Sequence, residues 1–209
     1  NFSLELKSLS ILFTFCCILL LTNAFNYIDG MDGLLGTISL TSLLFFIVVL
    51  PNSEINFIAP FIIFLSIFLF FNLRLVRSLS KVFMGDSGSL GIGFLFCIIV
   101  IHYTQNLNYI HESVAIWPIA FVVYEFLTIN IIRIKNKKNP FKRDLNFIFN
   151  KFLRRYTKLK TLILCNLINL FYCCLGYFFH VTKYYEFLIS LFIIFYFIHL
   201  FLRFKQNEG

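Results

Sequence analysis

The sequence predicts an all-α fold, a polytopic transmembrane helical bundle of about seven spans. Three observations carry that prediction. Of the 209 residues, 59% are hydrophobic, with 30 phenylalanines and a mean hydropathy of +0.85, where a soluble domain holds about 45–50% apolar residues. Apolar runs of about 17–25 residues, enough to cross a hydrocarbon core, recur along the whole length. These runs are continuous rather than alternating, so helices and not barrel strands must satisfy the backbone in lipid.

Taken in order, the spans fall near 9–27, 34–50, 57–72, 88–104, 114–132, 161–180 and 185–202. Several are short, so tilt or local thinning of the bilayer is expected. The first span runs into a polar stretch, and the second starts directly after it. Loops 51–56 and 105–113 are short and hold no Lys or Arg. Placing 22–33, 73–87, 133–160 and the C-terminus on one side collects 16 of the 18 basic residues there, leaving Lys7 and Lys183 opposite. Positive-inside bias makes the basic side cytoplasmic. The net charge of +8 is therefore a topology signal, and nucleic acid is not an expected partner. One integral-membrane domain over 1–209, with 133–160 as its basic cytoplasmic loop, accounts for the chain. The opening at Asn1 without methionine predicts that further spans precede it, and no signal-peptide cleavage site follows the first apolar run.

The chain has only four aspartates, and two of them lie in "NAFNYIDGMDG", Asn23 to Gly33. Asn23, Asn26, Asp29 and Asp32 recur every third residue. In a regular helix that spacing would spread them over about half the circumference. Gly30 and Gly33 permit the backbone to unwind, so the expectation is a helix ending in a broken turn that directs carboxylates toward one cavity. A water-soaked polar helix end is the plainer alternative, and it explains one or two such residues more readily than four.

The second stretch is "KVFMGDSGSLGIGF", Lys81 to Phe94. Asp86, Ser87 and Ser89 stand where the fourth span begins, at a helix N-terminus that favours phosphate oxygens. Asp86 there can hold Mg²⁺, which takes one or two carboxylates plus substrate phosphates. The competing reading is an N-capping Asp86 followed by glycines that let helices approach closely. Just upstream, "FNLRLVRSLSK" supplies Asn72, Arg74, Arg77 and Lys81, cations suited to a nucleotide diphosphate and equally to membrane anchoring.

Loop 133–160 holds 11 Lys and Arg against one acid, Asp144. Its default role is orientation and attraction of anionic lipid. Glu125 lies inside the fifth span, two turns from Arg133, and should face the bundle interior or water. The four histidines and six cysteines show no metal-ligand spacing. Core or interface histidines, and buried thiols, are the expectation for them.

"NAFNYIDGMDGL" and "FNLRLVRSLSKVFMGDSGSLGIGF" together resemble the polyprenyl-phosphate N-acetylhexosamine-1-phosphate transferases, the glycosyltransferase family 4 enzymes, in their bacterial undecaprenyl-phosphate branch. The likeness runs over nearly the whole chain and matches the C-terminal two-thirds of a typical member. It implies a multi-pass enzyme of the bacterial inner membrane whose site faces the cytoplasm and depends on Mg²⁺, with Mn²⁺ as the alternative ion. It further implies transfer of a sugar 1-phosphate from a UDP-sugar, UDP-N-acetylglucosamine first among them, to undecaprenyl phosphate with release of UMP. Such a step starts a lipid-linked envelope glycan of the O-antigen kind. By motif position Asp86 resembles the metal ligand and Phe83 the ring that stacks on uracil. Asn23, Asn26, Asp29 and Asp32 resemble the polar wall around nucleotide and diphosphate. Spacing does not divide Asp29 and Asp32 between base, metal partner and nucleotide contact.

The resemblance has departures. Members carry an Asp-Asp pair on an earlier cytoplasmic loop, before the point where this chain begins. They also end the loop equivalent to 133–160 with an Arg and a His-x-His-His cluster. Here "NPFKRDLNFIFN" keeps Pro140, Phe141 and Asp144, but Leu145 stands for the Arg, and Phe147, Phe149 and Asn150 stand for the histidines. Glu125 stands where members usually have Asp. These changes set two alternatives beside the main reading: the same reaction with another UDP-hexosamine, or a non-catalytic paralogue. A transporter lacks support, because there is no repeated half. Oligomeric state leaves no signal in the sequence.

Overall fold

The computed structural model describes residues 9–75, 81–137, 139 and 146–205, and among these every regular element is helical. The helices are α1 (Ser10–Ile28), α2 (Leu34–Val49), α3 (Ile55–Asn72), α4 (Gly85–Ile101), α5 (Glu112–Ala115), α6 (Ala120–Lys135), α7 (Ile148–Leu153), α8 (Lys158–Thr182) and α9 (Leu188–Lys205). Six of the seven expected spans coincide with single helices to within three residues, and the span expected at 114–132 runs over α5, a 3₁₀ turn and α6. Five segments are long and apolar enough to cross a membrane: Ser10–Ile28, Asn52–Asn72, Gly85–Asn106, Glu112–Lys135 and Lys158–Thr182. Helix α2, at 16 residues, measures about 24 Å against a core of about 30 Å, and the apolar part of α9 is also short. The molecule is thus a multi-pass membrane protein with five such segments.

The segment Glu112–Lys135 is not one helix. Pro118 lacks an amide hydrogen, and the chain passes from α5 through a 3₁₀ turn, Trp117–Ile119, before α6 begins. Helix α7, six residues long with Lys151 inside it and Arg154 at its C-terminal end, was not expected.

Helix α1 packs on α4 and α6, α2 on α3 and α8, and α6 on α9. Close approach explains Gly93: a Cβ there would meet the Thr22 Cα at 2.7 Å, so α4 can lie on α1 only without a side chain. Gly85 and Gly91 meet nothing, so only part of the glycine run serves helix packing. Phe25 and Phe96 stack across that contact with ring centres 4.8 Å apart, and both are fully buried. Polar side chains join α2 to α8: Asn166 Nδ2 donates to Thr37 Oγ1 (2.8 Å) and Asn169 Nδ2 to Ser42 Oγ (3.2 Å). In lipid such bonds stand in for the missing hydrophobic drive between helices. The thiol expectation holds in part. Cys97, Cys165 and Cys173 are buried, whereas Cys16, Cys17 and Cys174 lie on the outer surface, where a weakly polar thiol facing lipid carries little penalty.

Candidate active site

The polar stretch closes α1 as its glycines suggest. The helix ends at Ile28, and Asp29 leaves helical geometry with ψ 60°. Gly33 sits at φ +81°, a left-handed conformation that a side chain would strain, and from it α2 departs. The turn 29–33 is fixed from outside. Gly33 N–H donates to Asn72 Oδ1 (2.6 Å), and Asn72 Nδ2 donates to the Val82 carbonyl (2.7 Å). Asn72 is buried, so its place is that of a brace between the turn and the approach to α4.

Across this brace the two motifs meet. Asn26, still on α1, donates through Nδ2 to Asp86 Oδ1 (3.1 Å) and to Ser89 Oγ (2.8 Å). Asp86 lies exposed in the first turn of α4, with no side-chain cap at that helix end, so the capping alternative is not what is seen. Asp32 Oδ2 accepts from Lys81 Nζ at 2.7 Å and also from Lys158 Nζ, the first residue of α8. Burial alone would push the Asp32 carboxyl up, but the Lys158 and Lys81 ammonium groups together hold it below the ordinary aspartate value. Lys81 Nζ also lies 4.4 Å from the centre of the Phe83 ring. Phe83 is 69% exposed and forms one wall of an apolar groove of about 340 Å³, with Met84 and Gly88 and against Phe64, Phe68 and Phe71 of α3.

Other expected residues stand apart from this group. Asn23 is exposed and donates to the Leu19 carbonyl of its own helix (2.7 Å). Asp29 is half-buried at the head of the turn, and Arg74 is exposed just past α3 at φ +53°. Arg77 and Asp144 lie outside the described residues.

The place of the family histidines is filled by packing. Phe149, on α7, sets its ring edge directly against Gly30; a Cβ on Gly30 would collide with Phe149 Cζ. Phe147 is buried too, edge-on to Tyr27 at 6.3 Å, with the Arg133 guanidinium 5.1 Å from the Tyr27 ring centre. Helix α7 is tied down by Glu125, whose Oε2 accepts from Ile148 N–H (3.0 Å). Glu125 is 1% exposed and faces the interior as expected, but its partners come from α9: a hydrogen bond with His199 Nε2 at 2.8 Å and an ion pair with Arg203 Nε at 3.1 Å. Arg203 reaches the Asn146 carbonyl as well. Burial, with Arg203 and Arg154 nearby and Glu125 opposing, pushes the Lys151 ammonium down to about 8.

Sequence reasoning missed Lys158, His199 and Arg203. The last two stand four residues apart, on one face of α9, a spacing that could have flagged them. Nothing in the sequence separates Lys158 from the other cations of its loop.

The arrangement defines a class: a multi-pass helical membrane protein with aspartates, amides and lysines drawn from separate segments to one end of the bundle. The family model for Glycosyl transferase family 4 matches residues 1–104. The undecaprenyl-phosphate alpha-N-acetylglucosaminyl 1-phosphate transferase of Yersinia pestis is 34% identical over 144 residues, covering 63% of this chain and 38% of that protein. The enzyme of the same name from Thermotoga maritima is 33% identical over 157 residues, 75% of this chain and 47% of its own length. That from Escherichia coli K12 is 33% identical over 144 residues. Over residues 1–104 the chain is similar to glycosyl transferase family 4. The likeness spans less than half the length of these relatives, and it is narrower along this chain than the motifs implied. No solved structure matches it.

Proposed function

We propose that the protein transfers a sugar 1-phosphate, N-acetylglucosamine 1-phosphate in the first instance, from a UDP-sugar to undecaprenyl phosphate, releasing UMP. One observation carries the reading: Asn26, Asp32, Lys81 and Asp86, from segments about 50–60 residues apart in sequence, converge at one end of the bundle. The similar enzymes, named for this transfer, support it. Among the described residues no set of three or more His, Cys, Asp or Glu could hold a metal. Mg²⁺ does not need one, since it binds through one or two carboxylates plus substrate phosphates. Asp86, oriented by Asn26 and close to Ser89, fits as its carboxylate ligand, with Mn²⁺ the alternative ion. The ion, when bound, neutralises charge on the diphosphate.

Lys81 steers the diphosphate and the exposed face of Phe83 stacks on the uracil; Asn23, Arg74, Arg77 and Asp144 are further substrate contacts by motif resemblance alone. Asn72 acts by holding the turn. Asp32, committed to two lysines and held below the ordinary aspartate range, is a poor proton acceptor, which favours a positioning part. That leaves Asp29 as the aspartate for proton transfer. The apolar groove between α3 and the start of α4 suits a prenyl acceptor. All seven apolar helices cross the membrane, the site faces the cytoplasm, and the protein sits in a bacterial plasma membrane, as the segregated cations favour.

A second reading, another UDP-hexosamine or a binding-only paralogue, draws on the buried Phe149 against Gly30, where a histidine would have offered a polar edge. The test uses the full-length protein, UDP-[¹⁴C]GlcNAc and undecaprenyl phosphate. Lipid-extractable label with matching UMP is expected. Label only from a different UDP-hexosamine would shift the donor, and UDP-sugar binding with no turnover of any donor would overturn the enzyme reading.

A further inference from the structure

We infer that Lys158 is a substrate-positioning residue: with Lys81 it forms a two-ammonium clamp, held open on Asp32, that grips a phosphate oxyanion of the substrates. The inference rests on the proposed transfer reaction.

Three features lead to it. Both ammonium groups converge on one oxygen, Asp32 Oδ2. One carboxylate cannot neutralise two cations, so the triad keeps a net charge of +1 and the two ammonium groups repel each other until a further anion joins them. The exposures are graded, with Asp32 22% exposed, Lys81 27% and Lys158 47%, so the cations stand outside the acid. An incoming oxyanion therefore meets ammonium before it meets carboxylate. Finally, Lys158 is the first residue of α8, where a cation opposes the positive end of the helix dipole, and no acid occupies that helix's first turn to compensate. The position does not serve α8. It serves whatever the charge faces.

The clamp is also well placed. Asp32 belongs to the turn that Asn72 locks to the approach of α4, so Lys158 brings a fourth segment to the group containing Asp86. A diphosphate of the donor and the single phosphate of the lipid share the same oxyanion chemistry, and kinetics separates them.

The experiment compares full-length wild type, Lys158→Ala, Lys158→Arg and Lys160→Ala, a neighbouring exposed lysine on the same turn. Inorganic pyrophosphate binding is measured by calorimetry, and UMP release is measured while donor and acceptor are varied in turn. Lys158→Ala should weaken pyrophosphate binding about tenfold and raise one KM by a similar factor with kcat within about twofold, because the lost contact acts mainly in binding. Lys158→Arg should recover most of the loss, and Lys160→Ala should match wild type. A rise in the donor KM alone marks the diphosphate as the ligand, and a rise in the acceptor KM alone marks the lipid phosphate. Lys158→Ala should keep a single cooperative melt, lowered only slightly by loss of the partly exposed Asp32 contact, which separates binding from folding. If Lys158→Ala binds pyrophosphate and turns over like wild type, the clamp is wrong while the transferase reading stands. Lys158-dependent pyrophosphate binding without turnover keeps the clamp and removes the reaction. Wild type that neither binds nor turns over ends both.

Discussion

At the scale of the residue, two contacts distinguish this site. The first is Phe149 on Gly30. Adding a methyl group at Gly30 drives it into a buried ring that α7 holds in place, so Gly30→Ala should lower stability by about 1–3 kcal/mol, the usual penalty for overpacking. The double variant with Phe149→Leu should recover most of the loss, read as melting temperature in detergent; equal losses in both variants would rule out the contact. The second is Asp32. Its folded-state carboxyl lies below the unfolded value, so its stabilising contribution is complete above about pH 4 and fades as pH falls through the lower folded value. Asp32→Asn should thus be less stable than wild type at pH 7, and the gap should narrow below about pH 4. A gap that stayed constant with pH would show that the lysines do not act on the charge. The aspartates themselves were legible in the sequence, because polar residues in an apolar chain declare themselves. Lys158 was not, being one of 11 cations in a loop whose charge is explained by topology.

At the scale of the element, the link is between α6, α7 and α9. Glu125 carries the Arg203 guanidinium and the His199 imidazole from α9 and the Ile148 amide from α7, all deeply buried. Removing the carboxylate leaves Arg203 charged and without its counter-ion, so Glu125→Ala should cost about 3–5 kcal/mol. Glu125→Gln, which can still accept from Ile148 N–H, should cost less. Thermal melts of the two variants check the order, and a loss in Gln as large as in Ala would assign the effect to charge alone. The burial of Glu125 followed from lipid excluding lone charges, but its partners did not, because sequence separation hides contacts between helices. Helix α7 escaped notice for a related reason: six residues without an apolar run produce no periodic signal. The break at Pro118 likewise lies within an apolar segment that reads as one span.

Across the whole molecule, the bilayer explains most of what the sequence disclosed. Apolar runs and segregated cations follow from lipid and from membrane insertion, so the helical class and the order of the apolar segments were readable without any contact being known. The described ends agree. Asn26, Asp32, Lys81, Lys158 and Asp86 gather at one end, while Glu54 meets Tyr103 and His111 stacks on Tyr185 at the other. In a background stripped of native cysteines, Arg155→Cys should resist a membrane-impermeant thiol reagent applied to intact cells, and Lys183→Cys should react. The reverse pattern would invert the topology and place the site outside.

The central claim is that the converging aspartates form a working site for sugar-phosphate transfer, with Asp86 at its core. The most direct measurement is UMP release by the full-length protein supplied with UDP-N-acetylglucosamine, undecaprenyl phosphate and Mg²⁺, wild type beside Asp86→Asn. The account predicts turnover in wild type and a fall of at least about a hundredfold in the variant, with the fold intact by melting temperature. Full activity in Asp86→Asn would contradict it.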